Sequence, residues 1–315
     1  MKIPFTKMHG IGNDFIILNQ LANKYNLNSE LIKSLSHRQF GIGFDQLLII
    51  ESSLNSKAEF KYRIFNSDGN EVEQCGNGAR CFYRYIKNKN LSKNSKITVE
   101  TKSGLIVLSE RSENLISVDM GKPIFKEKIS NLFTSISIGN PHAVLEPLDK
   151  NQEWEGAMNL AKEIQGNKTF FPNGVNVSFM KIIDNNNLRL KVLERGSGIT
   201  LACGTGACAA SAAAILKGIV KTPVTVHMDG GKLIIDWDGL NSIIMSGPAE
   251  IVFEGEFDLS LIKKYAQIKS FCYGKDTELK NIFNLHLNQN FQSVKSMIIG
   301  KKEYQKQNLL LIIQR

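Results

Sequence analysis

The sequence predicts an α+β fold of two pseudo-symmetric halves, each a curved mixed β-sheet or barrel wrapped around a central helix, and two observations predict it. The same short loop occurs twice, as Cys75-Gly76-Asn77-Gly78-Ala79 and Cys203-Gly204-Thr205-Gly206-Ala207, and each copy runs straight into a helix-forming stretch. A polar residue also stands nine positions before each cysteine at the end of a strand-like run, Asn66 in one copy and Glu194 in the other. One half-molecule used twice accounts for both. The second observation is the abundance of short β-prone runs bounded by turn residues, which with one enclosed helix per half is an α+β pattern.

In chain order, strands are expected at Ile3 to Met8, Asp14 to Asn19, Leu47 to Ile50, Tyr62 to Phe65, Ile97 to Thr101, Leu105 to Ser109 and Leu115 to Met120. A short helical pattern at Ser29 to Leu35 interrupts them, with Ser29 as its cap, and the first long helix follows Cys75. A Gly-Lys-Pro break at Gly121 to Pro123 opens the second half. Its strands fall at Thr134 to Ile138, Ala143 to Leu145, Val175 to Ile183, Leu188 to Leu193, Val224 to Met228, Lys232 to Trp237, Ile243 to Ser246 and Ala249 to Phe253. The helix after Cys203 carries alanine at 209, 210, 212, 213 and 214, small side chains that let other elements approach from all sides. The chain is therefore divided into residues 1–120, residues 121–259 and a basic C-terminal extension, 260–315, with a helix at Leu261 to Ile268 and a terminal strand or partner-binding segment.

The 315 residues and ordinary composition are those of a globular protein able to bury a core. The formal charge of +9 would suggest nucleic acid if it were spread over the body, but it is not. From Leu261 on, ten Lys and Arg face only Asp276, Glu278 and Glu303, a net of +7 that leaves +2 for everything before. No nucleic-acid or membrane partner is expected. The absence of a run of ~18 apolar residues and of an N-terminal signal pattern makes the cytoplasm the expected compartment. Five cysteines, an odd number, argue for free thiols.

Cys81, Cys208 and Cys272 read as packing residues, since free cysteine is commonly a small buried hydrophobe. Cys75 and Cys203 do not. Each is followed by glycine, a polar residue and glycine, the sequence of a tight turn that exposes backbone N–H groups at a helix start. A thiol there feels the positive end of the helix, which is expected to bring its pKa toward the working range. No metal site is expected: on a helix Cys203 and Cys208 diverge by roughly 140°, and Cys75 and Cys81 by roughly 120°. A phosphate cradle lacks the GxxxxGK[ST] pattern and its reaching lysine, Arg80 being the one nearby cation. Two matched thiols at two matched helix starts suit racemisation or epimerisation, in which one base takes a proton from one face of a carbon while an acid gives one to the other.

At these residues the chain resembles the diaminopimelate epimerases over roughly Met1 to Leu259. The motifs are Lys7-Met8-His9-Gly10-Ile11-Gly12-Asn13-Asp14-Phe15, Gly41 to Gln46, Phe65-Asn66-Ser67-Asp68-Gly69, Gln74 to Cys81, Gly139-Asn140-Pro141-His142, Gly174 to Val177, and Glu194-Arg195-Gly196 leading to Ala202 to Ala207. The resemblance implies a cofactor-independent, metal-free homodimer that interconverts LL- and meso-2,6-diaminopimelate. It implies Cys75 and Cys203 as acid and base, and His142 and Glu194 as tuners of thiol ionisation. It implies that Asn13, Gln46, Asn66, Asn140, Asn176, Glu194 and Arg195 hold the charged ends of the substrate, with N–H groups from Gly76, Asn77, Gly204 and Thr205. Asp14, Asp68 and Asn70 have turn chemistry as a sufficient explanation. Proline and hydroxyproline racemase-type enzymes share the two-thiol logic, but their single-carboxylate substrates would not need the Asn140, Asn176, Glu194 and Arg195 set. Two features depart from the family pattern: Ile199 stands where a glutamate is usual, and the basic extension has no counterpart.

Overall fold

The structure, a computed structural model, describes residues 2–73, 75–112, 114–126, 130–149 and 151–260. Gln74, Cys272 and the expected helix and strand of the extension lie outside the described residues.

The duplication seen in the loops extends to the whole topology. In the first half Lys2–Gly10 pairs antiparallel with Asn13–Asn19, which runs parallel to Gln46–Ser52. Phe60–Asn66 follows antiparallel, Lys96–Thr101 parallel, then Gly104–Ser112 and Leu115–Asp119 antiparallel. In the second half Phe133–Ser137, Pro141–Leu145, Asn176–Asp184, Asn187–Glu194, Val224–Met228, Gly231–Asp236 and Ile244–Gly247 repeat the same alternation of antiparallel and parallel neighbours step for step. Just past the Gly121 to Pro123 break, Ile124–Phe125 pairs with Phe133–Ser137, while Glu250–Asp258 leaves the second half to run along Lys2–Gly10 of the first. A second seam joins Leu115–Asp119 to Ile244–Gly247.

Four helices are present among the described residues: α1 (Ser29–Ser36), α2 (Gly76–Asn88), α3 (Trp154–Gly166) and α4 (Gly204–Leu216). Helices α2 and α4 are enclosed, each packed on several strands of its own half, and the alanine run of α4 is buried throughout, as its composition predicts. The cap of α1 is Asn28 and not Ser29: the Asn28 side chain accepts the Leu31 N–H at 2.9 Å. Helix α3 is absent from the sequence expectations. It has no side-chain cap, and its buried stripe is made of Ala157, Ala161 and Ile164, too small to stand out in a polar segment. Glu71–Val72, Ile124–Phe125 and Gly198–Ile199 are two-residue strands below the length that alternation can reveal. The last strand runs on past Phe253 to Asp258, because from Lys2 to Lys7 the first strand offers it a partner at each step.

At the first turn of each enclosed helix the chain passes too close to neighbours for a side chain. A Cβ on Gly78 would lie 2.3 Å from the Tyr62 Oη, and one on Gly206, its counterpart, 2.8 Å from Val192 Cγ2. The two helix starts therefore sink into one core cluster that spans both halves.

Candidate active site

Each helix start is built by its cysteine. Cys75 and Cys203 take the extended backbone of an N-cap residue, and their sulfurs accept the N–H of Gly78 at 3.5 Å and of Gly206 at 3.4 Å. Sulfur stands where serine or aspartate oxygen caps most helices, facing N–H groups that the helix leaves unpaired. The two starts also touch. A Cβ on Gly204 would lie 3.3 Å from Asn77 Oδ1 and 3.0 Å from Met245 Sδ, and one on Gly76 would lie 2.5 Å from Met245 Cε. Two matched sulfurs are thus carried on helix ends that meet around one methionine.

Around Cys75 the first half gathers Asn13 and Asn77. The Ile11-Gly12 turn is left-handed at both residues, with φ of 49° and 88°, and delivers Asn13 to the head of its strand. Asn13 Oδ1 accepts from the Cys75 thiol at 3.8 Å and from Asn77 Nδ2 at 3.3 Å. Its Nδ2 donates to Asp45 at 2.9 Å, which fixes the amide with its oxygen toward the sulfur. Asp45 is held in turn by Arg38, which also grips Asp14 through both its terminal nitrogens, and Lys7 reaches Asp14 at 2.6 Å. Asp14 is therefore an ion-cluster residue and not a turn former, its carboxyl held far below the usual range by Arg38 and Lys7 although burial opposes them. Asp68, by contrast, does close a local turn on the Asn70 N–H at 2.9 Å. Gln46 and Asn66 pair across the register of their strands, Nε2 to Oδ1, at 2.8 Å.

Around Cys203 the second half builds a relay. The sulfur lies 3.6 Å from Thr205 Oγ1, which accepts from Asn140 Nδ2 at 3.3 Å, and Asn140 Oδ1 accepts from His142 Nε2 at 3.0 Å. His142 is fully buried, its Nδ1 without a partner among the described residues, and desolvation lowers its pKa to about 3, so the ring is neutral at physiological pH. It bears on Cys203 only through Asn140 and Thr205. Glu194 bonds Thr200 and the Cys203 thiol, and burial raises its pKa. Its charge acts on both thiols, which places it between the two halves electrically. Asn176, beside His142 in register, accepts the Arg195 N–H at 2.8 Å. Arg195 itself is exposed, its Nη1 on the Asn173 carbonyl at 2.7 Å, with no carboxylate partner among the described residues. Ile199 pairs with Leu193 through its backbone alone and leaves its side chain half exposed, while Thr200 supplies the bond to Glu194.

One expectation fails here. The Cys75 thiol is pushed up to about 11 and Cys203 well above its ordinary value, although both face helix N–H groups. Burial is the first cause for both, and the Glu194 charge adds to it at both sulfurs. Cys75 keeps some accessible surface, but the protein packed around it desolvates the sulfur all the same. A helix start contributes at most about 2 kcal/mol, while full burial moves a pKa by several units, so burial decides.

Comparison with known proteins agrees with the geometry. The diaminopimelate epimerase family model matches residues 5–126 and 134–252. The chain belongs to the diaminopimelate epimerase family. Relatives named diaminopimelate epimerase include one from Vesicomyosocius okutanii, 44% identical over 274 residues, and one from Pseudomonas savastanoi pv. phaseolicola, 45% identical over 279; each match covers 82% of this chain and 100% of the relative. Among solved structures, a Bacillus anthracis phenazine biosynthesis protein of the PhzF family aligns with a TM-score of 0.64 at 16% identity, covering 82% of this chain and all of that one. A hydroxyproline epimerase from Agrobacterium vitis aligns with a TM-score of 0.62 at 15% identity, covering 82% and 93%. At such identities the likeness is one of fold. No helix among the described residues is long and apolar enough to cross a membrane.

Sequence reasoning placed Lys7, Asp45 and Arg80 within the motifs but gave them no part in the site, and gave none to Arg38, Thr200 and Met245. Asp45, Arg38 and Lys7 orient Asn13, Thr200 holds Glu194, and Met245 with Arg80 fills the junction of the helix starts. Arg80 stood five residues after Cys75, a spacing that puts it on an enclosed helix, and that was the available signal.

Proposed function

We propose that this chain interconverts LL- and meso-2,6-diaminopimelate by two-base proton transfer at the α-carbon, with Cys75 and Cys203 as the bases. The observation that carries this reading is the pair of equivalent, sulfur-capped helix starts brought together at Met245 and Asn77. One sulfur, as thiolate, takes the α-proton; the other, as thiol, gives its proton to the opposite face. Each turnover leaves the protonation of the two sulfurs exchanged, which readies the site for the reverse reaction. Backbone N–H groups at Gly76, Asn77, Gly204 and Thr205 receive the α-carboxylate, onto which negative charge moves as the C–H bond breaks. The α-ammonium of the substrate brings a positive charge beside thiols that burial holds protonated, and so favours the thiolate that the reaction needs.

The rest of the set suits a substrate with two ammonium and two carboxylate groups. Arg195, exposed and without an acidic partner among the described residues, offers a two-pronged grip on a carboxylate, and Glu194 accepts from an ammonium. Asn13, Gln46, Asn66, Asn140 and Asn176 supply amides that serve either sign. On this reading residues 1–120 and 121–259 each contribute one thiol, the extension contributes none, and the enzyme works in the cytoplasm as a homodimer; the family resemblance supports both of the latter.

Turnover of LL-diaminopimelate in heavy water tests the assignment. Deuterium is expected in the new meso isomer before it appears in the remaining LL isomer, because the thiol that donates has exchanged with solvent and the one that accepts holds the abstracted proton. Cys75→Ala and Cys203→Ala should each abolish epimerisation while leaving exchange at one stereochemistry, opposite in the two variants. Equal exchange of both isomers by one variant points to a single mobile base and overturns the two-base reading.

A further inference from the structure

Arg80 is a fully buried side chain, lying one turn inside α2, and its polar contacts do not match its charge. Nε donates to the Pro248 carbonyl at 3.1 Å, Nη1 reaches the Gly76 carbonyl at 3.5 Å and Met245 Sδ at 3.7 Å, and Nη2 has no partner among the described residues. No carboxylate pairs with it among the described residues. The space is kept for it. A Cβ on Gly10, in the first strand, or on Gly247, at the end of Ile244–Gly247, would lie 3.1 Å from a guanidinium nitrogen. A guanidinium does not shed its proton in a protein, so a full positive charge stands in the buried interior with no carboxylate partner among the described residues.

Such a charge is strongly unfavourable unless negative charge forms near it. The titratable groups that face it are Cys75 at the helix start, Cys81 on its own helix, Cys208 on α4 and Tyr62 on Phe60–Asn66. Each is neutral when protonated and anionic when not. Cys81, Cys208 and Tyr62 are sealed in the core, with pKa values that burial drives up, to about 12 for Cys208. Only Cys75 keeps accessible surface. It is opposed by the Glu194 carboxylate across the junction and supported by Arg80 and the N–H groups of Gly78 and Asn77.

We propose that Arg80 is the built-in counter-charge of the site, a positioning residue that never touches substrate but favours the thiolate of Cys75 and, through the Gly76 carbonyl, steadies the turn that presents it. The inference rests on the two-base reading for its purpose, but its test does not use turnover alone. A purely structural Arg80 would affect folding without moving any ionisation.

The test is the pH dependence of Cys75 alkylation by iodoacetamide, followed by peptide mass mapping on the full chain without added substrate, in wild type, Arg80→Gln and Arg80→Lys. Loss of a nearby opposite charge moves a pKa by about one unit or more. Arg80→Gln should therefore shift the alkylation midpoint upward by about one pH unit, roughly tenfold slower labelling below it, while Arg80→Lys stays near wild type. In turnover the Gln variant should lose kcat at neutral pH, recover as pH rises, and keep its KM. A folded Arg80→Gln protein with an unmoved midpoint overturns the proposal, as does a folded Arg80→Lys protein displaced as far as a neutral variant. Should neither fold, the wild-type protein decides by nitrogen NMR of its arginine side chains. The Arg80 Nε–H resonance should titrate with Cys75 and cease to do so in Cys75→Ser; an invariant resonance overturns the proposal. If the midpoint shifts but no variant or wild type epimerises diaminopimelate, the electrostatic inference stands and the substrate assignment falls.

Discussion

Burial of His142 ties the stability of this protein to pH in a way that can be calculated. In the unfolded chain the imidazole titrates at its ordinary value of 6.5; in the fold it titrates at about 3, because the protonated ring would be charged, fully buried and would present a second N–H at Nδ1 with no acceptor. A depressed folded pKa means that the unfolded state binds the proton more readily. The contribution is therefore complete above about pH 6.5 and is lost as pH falls toward 3, at about 1.4 kcal/mol per unit. Between pH 7 and about pH 4.5 the loss amounts to about 2.5 kcal/mol. Other groups titrate over the same range, so the measurement is a difference: urea unfolding of wild type and His142→Gln at a series of pH values. Glutamine can keep the donor to Asn140 Oδ1 but cannot ionise. Wild type should lose about 2.5 kcal/mol relative to the variant over that interval, and parallel stability curves would refute the claim that His142 is held neutral.

Three further outcomes follow from the packing and the site. Asp45→Ala removes the acceptor that fixes the Asn13 amide, and should lower kcat/KM about tenfold while costing under about 1 kcal/mol of stability, since Asp45 and its partner Arg38 are solvent-exposed; unchanged kinetics in a folded variant would show that Asn13 needs no such anchor. Mild oxidation should inactivate the enzyme reversibly by linking Cys75 to Cys203, because sulfurs serving opposite faces of one carbon at about 3 to 3.5 Å each are only some 6 to 7 Å apart; inactive protein with both thiols free in peptide maps would count against their facing one another. Gly78→Ala, driven to within 2.3 Å of the Tyr62 Oη, should destabilise by about 1 to 3 kcal/mol, whereas Gly156→Ala in α3, with nothing within 4 Å, should stabilise by about 0.5 to 1 kcal/mol; thermal melts of the two variants distinguish the signs.

What the sequence made legible was what local pattern controls. Strands that alternate or run apolar, and an alanine-rich stretch after a turn, declared themselves, since each is a statement about which side of one element is buried. The repeat of Cys-Gly-Xaa-Gly fixed the two helix starts because only glycine tolerates the approach of Tyr62 in one half and Val192 in the other. Three things depended on partners that the local pattern does not contain. Helix α3 rests on a stripe of small residues whose burial requires the strand Asn176–Asp184 behind it. Asp14 reads as a turn residue until Arg38 and Lys7, distant in the chain, arrive around it. The ionisation of the thiols was misjudged because a helix start is visible in sequence, while the depth at which it is buried is not.

The deepest consequence of the duplication is that it ended in unequal thiols. The two halves share one topology and one cap geometry, yet Cys75 has Arg80 and Asn13 for neighbours, while Cys203 has Glu194 and Thr205. Glu194 opposes ionisation of both sulfurs, but at Cys75 the Arg80 charge offsets it, and this favours, before substrate binds, the state in which Cys75 gives up its proton first and Cys203 keeps its own. Catalysis cannot move the equilibrium between two isomers, so this bias cannot favour a product. What it sets is which isomer meets a correctly protonated site at once and which must wait for the two sulfurs to exchange roles through solvent. The expected signature is a pH dependence of kcat/KM that differs between the two directions, the isomer whose proton faces Cys75 gaining activity at lower pH. In Arg80→Gln the two profiles should draw together, and profiles that already coincide in the wild-type enzyme would show that the asymmetry of the neighbours is cancelled within the bound complex.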